Sequence, residues 1–197
     1  MNIRLPKPQL DGHISIEKTL AKRRSIRNFR KLQISLQEVS QLLWAAQGIT
    51  SSLGFRTAPS AGALYPLEVY LVVGNVKKLV AGVYHYDPKK HELQMTVEGD
   101  LRTALSNAAL GQGAIQSGAV NIVFTAVYER TTGKYGQRGI RYVHMDAGHA
   151  AQNICLQATA LGLGTVTIGA FRDEQVSETL KLPRDEVPLY ILPVGRP

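Results

Sequence analysis

Apolar and polar positions along the chain follow two rhythms, and their order predicts a mixed fold. Residues 15–22 read as a short helix running into a basic cluster. Ser35-Leu36-Gln37-Glu38 has capping-box spacing, in which a serine hydroxyl and a glutamate carboxylate each satisfy a backbone N–H at a helix start. The helix it opens carries Val39, Leu42, Leu43 and Ala46 on one face and stops at Gly48. Residues 67–73 are rich in β-formers and predict a buried strand, and residues 83–87 and 92–97 predict a hairpin around Asp87-Pro88-Lys89-Lys90. There follow a helix after Asp100, a short one near Ala114, the most apolar strand over 119–127 and a long helix over 139–161 ended by Gly162. A strand over 165–168, a helix capped by Asp173 and running to Leu180, and a strand over 187–194 complete the series. Strands and helices mix without a strict alternation, which points to the α+β class.

Two stretches interrupt this pattern. Residues 56–66, Arg-Thr-Ala-Pro-Ser-Ala-Gly-Ala-Leu-Tyr-Pro, hold too many small residues and prolines for a helix or a central strand and predict a loop. On the long helix, Ala147, Gly148, Ala150 and Ala151 form a small-residue stretch that lets another backbone approach closely. Such a face suits a dimer seam or a helix at the centre of the core.

Composition narrows the class. At 197 residues, with 44% hydrophobic positions and no repeat or linker, the chain is expected to be a single domain over 1–197. A chain of this length holds a core without metal or disulfide staples. A lone Cys155 cannot form an internal bridge and suits a reducing compartment. No apolar run approaches the roughly 20 residues of a membrane span, and residues 1–20 carry charges where a signal peptide would be apolar, so the expected location is cytoplasmic. The net charge of +8 is local, since residues 1–40 hold nine Lys and Arg against three acids. The densest run, Lys22-Arg23-Arg24-Ser25-Ile26-Arg27-Asn28-Phe29-Arg30-Lys31, fits a nucleic-acid surface, a site for one phosphate, or a solvated basic face.

Several familiar chemistries lack their residues. Gly111-Gln112-Gly113 and Gly162-Leu163-Gly164 do not complete a dinucleotide fingerprint, and there is no phosphate-binding GxxxxGK[ST] loop. His144 and His149, five apart on a helix, turn to different faces, so no metal site is expected. Ser60 lacks the GxSxG elbow of a nucleophile, and Cys155 sits mid-helix as a small hydrophobe. What remains is three anion-binding or backbone-presenting loops: Arg23-Arg24-Ser25-Ile26-Arg27, Pro59-Ser60-Ala61-Gly62, and the run from Gly162 to Phe171. Flavin mononucleotide (FMN) requires such parts: donors for a phosphate, a cation near the reduced ring, and a backbone N–H for its reactive nitrogen.

These residues carry a resemblance. Ala58-Pro59-Ser60-Ala61-Gly62-Ala63-Leu64-Tyr65-Pro66 before a strand, Lys134-Tyr135-Gly136-Gln137-Arg138 leading through Arg141-Tyr142 into Met145-Asp146-Ala147-Gly148-His149-Ala150-Ala151-Gln152-Asn153, and Leu192-Pro193-Val194-Gly195 occur in the order and spacing of the nitroreductase superfamily. The chain resembles most its SagB-type, azoline dehydrogenase-like branch. The resemblance implies an α+β sandwich with a mostly antiparallel central sheet flanked by helices, assembled as a homodimer with two FMN molecules in the interface. It implies that Arg23 and Ser25 hold the phosphate, Arg24 lies along the ribityl chain or phosphate, and Arg27 faces N1/O2. It places Pro59, Ser60, Ala61 and Gly62 around the flavin, and the Gly169 and Ala170 amides towards N5 and O4. It also turns the small-residue face at Ala147 towards the dimer seam.

Two positions depart from the family pattern. Ala63 replaces an Asn that contacts the flavin pyrimidine edge, and Arg196 is the one basic candidate where many relatives carry a pair. The implied activity is hydride transfer through flavin N5 on a small-molecule or peptide substrate, with NAD(P)H as a possible electron donor. The alternatives are a NAD(P)H-dependent nitroreductase or quinone reductase, and a non-catalytic flavin- or nucleic-acid-binding module. Lys134 and Tyr135 match by position a catalytic Lys-Tyr pair of the azoline-oxidising relatives. Lys134 would act as base if Arg130, Arg138 and Arg141 favour its neutral amine, with Tyr135 relaying the proton. The competing reading is a solvated loop lysine and a half-buried tyrosine at a helix end.

Overall fold

The computed structural model describes residues 2–197. In chain order the elements are β1 (Asn2–Arg4), α1 (Ile16–Lys22), α2 (Leu36–Gln47), a single 3-10 turn (Ala61–Ala63), β2 (Leu67–Val73), β3 (Gly82–Asp87), β4 (Glu92–Glu98), α3 (Arg102–Ala108), α4 (Gly113–Ser117), β5 (Val120–Ala126), α5 (Glu129–Tyr135), α6 (Arg138–Ala160), β6 (Gly164–Thr165), α7 (Asp173–Leu180) and β7 (Val187–Gly195). The seven strands form one sheet in the order β1-β4-β3-β2-β5-β7-β6, with antiparallel pairing throughout. This is the expected α+β sandwich.

Helices cover both faces, and the strand alternation of two sorts the core accordingly. Val69, Leu71 and Val73 of β2 meet Leu42 and Leu43 of α2 and Val143 and Ile154 of α6. Tyr70 and Val72 meet Leu105 of α3, Ile115 of α4, and Val176 and Leu180 of α7. Every residue of β5 is buried, because it lies mid-sheet between the two helical layers. A one-residue slip of either central strand would exchange these two sets, so the register is fixed by the core.

Local signals explain most boundaries. Ser35 and Glu38 form the predicted capping box, with Ser35 Oγ accepting from the Glu38 amide at 3.2 Å and the Ser35 amide donating to Glu38 Oε2 at 2.8 Å. Ser15 caps α1 in the same way without the reciprocal acid.

Other expectations are corrected. The strand expected over 165–168 is a two-residue β6 followed by an isolated bridge from Ile168 to Ile191, since that segment peels away from β7 after Thr165. Asp173 is the first residue of α7 rather than its cap; Arg172 occupies that position without a side-chain bond. Two elements went unread: β1, three residues long, and α5, which places Lys134 and Tyr135 in a helical turn and not a loop. The small-residue face of α6 is mostly core. Ala147, Ala150 and Ala151 are 4%, 0% and 2% exposed in the subunit, where their size lets α6 lie close to the sheet, and only Gly148 faces outwards.

Glycine also sets a close approach at the sheet edge. Gly164 and Gly195 are paired across β6 and β7, and together they leave a bare platform. A methyl group on Gly164 would meet Ile26 at 2.8 Å and Phe29 at 3.2 Å, and one on Gly195 would meet Phe29 at 2.9 Å. The segment carrying Ile26 and Phe29 is therefore seated on backbone. It is bonded there from the Ile26 amide to Thr165 O and from the Arg30 amide to Arg196 O, both at 2.9 Å. Gly164→Ala is expected to lower stability by about 1–3 kcal/mol through overpacking. Urea unfolding checks this, and amide exchange should show protection lost first at Ile26 and Arg30.

Candidate functional site

The predicted site residues fall into two groups. The first is built by segment 23–27, which leaves the C-terminus of α1 and runs extended beside β6, Ser25 bridging to Thr165. Ile26 turns inwards onto the glycine platform, while Arg24, Ser25 and Arg27 are exposed and Arg23 is half-buried. Arg24 folds back, donating to Arg23 O at 2.6 Å and Ala21 O at 3.1 Å, where it caps the end of α1. Arg27 lines a hollow of about 470 Å³ with Asn28, Gln112, Val166 and Ile168. Among the described residues none of Arg23, Arg24 and Arg27 is ion-paired, whereas Arg102, Arg130 and Arg196 each hold a carboxylate. Three guanidinium groups within five residues thus carry charge that no acid among the described residues offsets.

Gly169 and Ala170 belong to the same edge. Both are exposed, and among the described residues neither amide donates a hydrogen bond. Gln112 joins them to the Arg27 hollow, its Nε2 donating to Ala170 O at 2.9 Å. Gly169 also borders a second hollow of about 300 Å³ with His144, Phe171 and Tyr190. Arg196 lies apart from this group: its guanidinium holds Glu38 Oε1 at 2.7 Å, the other oxygen of that carboxylate being used in the capping box.

The second group is the loop 59–66. Gly62, Ala63 and Tyr65 all have positive φ, at 63°, 55° and 48°. For Ala63 and Tyr65 that conformation costs of the order of 1 kcal/mol or more each and persists only where the surroundings impose it. Asp146 of α6 supplies much of that constraint. Its Oδ2 accepts from Ser60 Oγ at 2.6 Å and its Oδ1 from the Ala61 amide at 3.4 Å, while Ser60 Oγ accepts from the Tyr65 amide at 3.0 Å. Asp146 is only 4% exposed, and burial pushes its carboxyl above the usual aspartate range, the two loop donors offsetting part of the rise.

Helix α5 closes over the same loop. A methyl group on Gly62 would lie 2.7 Å from Tyr135 Oη and 3.2 Å from Lys134 Nζ, so both polar tips stand directly above that glycine. Tyr135 is half-buried against Tyr142 in an edge-on ring contact, and Lys134 is exposed. Of the arginines expected around Lys134, Arg130 is ion-paired with Glu68 at 2.6 Å and Arg138 stacks over Tyr142. Pro59, Ser60 and Ala61 line a hollow of about 250 Å³ with Tyr142, Met145 and His149. Ser60 and Arg27 therefore border different hollows within one subunit.

Sequence reasoning singled out neither Asp146 nor Glu68 as a working residue. The signal available for Asp146 is one acid in a helical stretch of small residues, which must find a partner when that face is buried. No comparable signal marks Glu68, whose partners come from distant elements.

The fold and these two groups define the family. The sequence matches the nitroreductase family over residues 20–196, and the chain belongs to that family of oxidoreductases. It is 46% identical over 196 residues to a nitroreductase-family protein of Methanocaldococcus jannaschii, covering 100% of this chain and 96% of that one. The crystal structure of a nitroreductase-family protein from Ralstonia eutropha superposes with a TM-score of 0.87 at 32% identity, covering 99% of this chain and 89% of that chain. The microcin B17-processing protein McbC of Escherichia coli is 30% identical over 142 residues, covering 69% of this chain. This chain spans only 52% of McbC. A chain of the E. coli microcin synthetase McbBCD complex, solved with truncated pro-MccB17 bound, superposes with a TM-score of 0.77 at 26% identity, covering 98% of this chain and 77% of that one. Among the described residues no helix is long and apolar enough to cross a membrane.

Asp146→Asn keeps the volume but presents a donor where two loop donors converge. It is expected to cost about 1–3 kcal/mol, the penalty for unpairing buried polar groups. Chemical unfolding measures the loss, and it should appear with faster amide exchange at Ala61 and Tyr65.

Proposed function

We propose that this chain is an FMN-dependent dehydrogenase of the SagB-type, azoline dehydrogenase-like branch, working as a homodimer on a small-molecule or peptide substrate. The observation that carries this reading is the placement of Lys134 Nζ and Tyr135 Oη over Gly62. The similarity to McbC supports the branch.

The residues present fit the cofactor. Arg23, Arg24 and Arg27 offer positive charge uncompensated by acids among the described residues, Ser25 adds an exposed hydroxyl, and the free Gly169 and Ala170 amides offer donors without rearrangement. Arg23 and Ser25 would hold the phosphate, with Arg24 beside them, and Arg27 would face the pyrimidine edge. When bound, FMN supplies the acceptor for a hydride. Lys134 Nζ takes the proton that must leave the neighbouring carbon of a thiazoline or oxazoline ring, and Tyr135 Oη orients that amine or relays the proton. Asp146 holds the loop beneath them, so the polar tips and the loop keep one geometry between turnovers.

A conventional NAD(P)H-dependent nitroreductase or quinone reductase is the second reading. The exposure of Lys134 favours it, since its amine is open to water and not enclosed beside a substrate ring. Cofactor analysis tests the flavin that both readings share, and azoline turnover decides between them. Purified protein should be yellow, and mass analysis of heat-released cofactor should give FMN; recovery of FAD alone would refute the assignment. Lys134→Ala should keep its colour and lose azoline oxidation by about 10²–10⁴-fold, while flavin reduction by NADPH is retained. Unchanged azoline turnover in that variant sinks the base role, and no azoline turnover in the parent leaves the general reductase as the function.

The dimer is tested separately. Ile16 and Leu20 of α1 are 54% and 53% exposed, beside a hollow of about 410 Å³ lined by Ile14, Trp44 and Leu156. Leu20→Asp should yield monomers by light scattering and release flavin with them. A monomer that stays yellow would overturn the interfacial placement of the cofactor.

A further inference from the structure

Helix α5 carries the Lys134–Tyr135 pair, yet it is poorly able to hold its own place. It has seven residues, no side-chain cap at Tyr128 and Gly133 in its last turn, and a helix of that length is not stable alone in water. Something outside it must fix its position relative to loop 59–66.

The strongest candidate is Arg130. Its guanidinium meets Glu68 Oε1 at 2.6 Å and donates to Tyr65 O at 3.3 Å. Tyr65 is the positive-φ residue at the end of the loop, and Glu68 stands three residues further on, in β2. Arg130 and Lys134 are four apart and therefore share one face of α5. That face reads the loop at two points, Arg130 at Tyr65 and Lys134 at Gly62, and Tyr135 reaches Gly62 from the adjoining face. Glu68 is itself anchored. Its second oxygen bonds His85 Nε2 of β3 at 2.7 Å, and its side chain is 17% exposed. Burial would raise the Glu68 carboxyl, but the bonds from His85 and Arg130 outweigh it and hold the group below the usual glutamate range.

We propose that the Glu68–Arg130 ion pair is the positioning device of the Lys134–Tyr135 pair, registering α5 against β2 and the loop so that both polar tips stay over Gly62. In this role Glu68 and Arg130 each act through the elements they tie together. The catalytic consequence rests on the dehydrogenase reading above, whereas the mechanical consequence does not.

The test uses Glu68→Gln, Arg130→Met and Arg130→Lys in the full chain. Hydrogen exchange of the protein as purified is followed for segments 59–66 and 129–136, with 120–126 in β5 as the internal reference. Glu68→Gln and Arg130→Met should accelerate exchange in both segments by roughly tenfold, leaving β5 unchanged. Arg130→Lys keeps the charge but shortens the side chain whose Nη1 meets both Glu68 and Tyr65, and should recover only part of the protection. In the yellow protein, kcat for azoline oxidation should fall by up to about 10²-fold with KM retained, as expected for a misplaced base, while NADPH oxidation is unaffected. Unchanged exchange over 129–136, or a parallel rise in β5, overturns the positioning role. Absence of azoline turnover in the parent counts against the proposed function alone, because the exchange comparison needs no substrate.

Discussion

A buried carboxylate on the longest helix organises the chemistry of this molecule. Asp146 reaches out of a helix face otherwise made of small and apolar side chains and takes its hydrogen bonds from Ser60 and the Ala61 amide. Leaving that acid unpaired would cost several kcal/mol, so loop and helix are bound to adopt one arrangement. The positive-φ conformations at Ala63 and Tyr65 are consequences of this arrangement, and so is the open face of Gly62 on which Lys134 and Tyr135 converge. Helix α6 can serve as the fixed reference because Ala147, Ala150 and Ala151 let it lie directly on the sheet.

The two polar groups use opposite means. The edge formed by segment 23–27 and Gly169–Ala170 gathers positive charge and unbonded amides, held by glycine-to-aromatic contact and a few backbone bonds. The loop under α5 is a web of mutually satisfied polar atoms whose freedom is small. The first suits an anion that arrives and supplies the missing bonds. The second suits work that demands unvarying geometry. Lys134 is exposed at the boundary of this web, where the proposed dehydrogenase would meet its substrate.

Much of the framework was legible because its signals are local. The Ser35–Glu38 box, the apolar runs of β2 and β5 and the length of α6 each announce themselves within a dozen residues. β1 and α5 did not: three residues are too few for periodicity to show, and in α5 no capping side chain stands at Tyr128 and Gly133 argues against a helix. The strand expected over 165–168 is broken: its β-forming residues are real, but after Thr165 only Ile168 returns to β7, in an isolated bridge to Ile191. The positions of the site residues were readable as a pattern, while their partners were not. Glu68 meets Arg130 across 62 positions and Ser60 meets Asp146 across 86, distances over which sequence carries no pairing signal. Arg196 shows the same limit, being taken up by Glu38 and not by the anion edge.

The place of β7 in the sheet governs the order in which the molecule is completed. It is the last strand in the chain, yet it lies inside the sheet, between β5 and β6. During synthesis β5 waits with one ladder edge open until residues past 187 leave the ribosome, and β6 has no strand of the sheet to join before then. The glycine platform that seats Phe29 is assembled from both late strands, so the basic segment near the start of the chain is among the last to settle. A nascent chain of this protein thus carries an exposed apolar strand and an undocked cationic arm together, a combination that invites association with anionic partners and makes chaperone cover valuable until the final strand inserts.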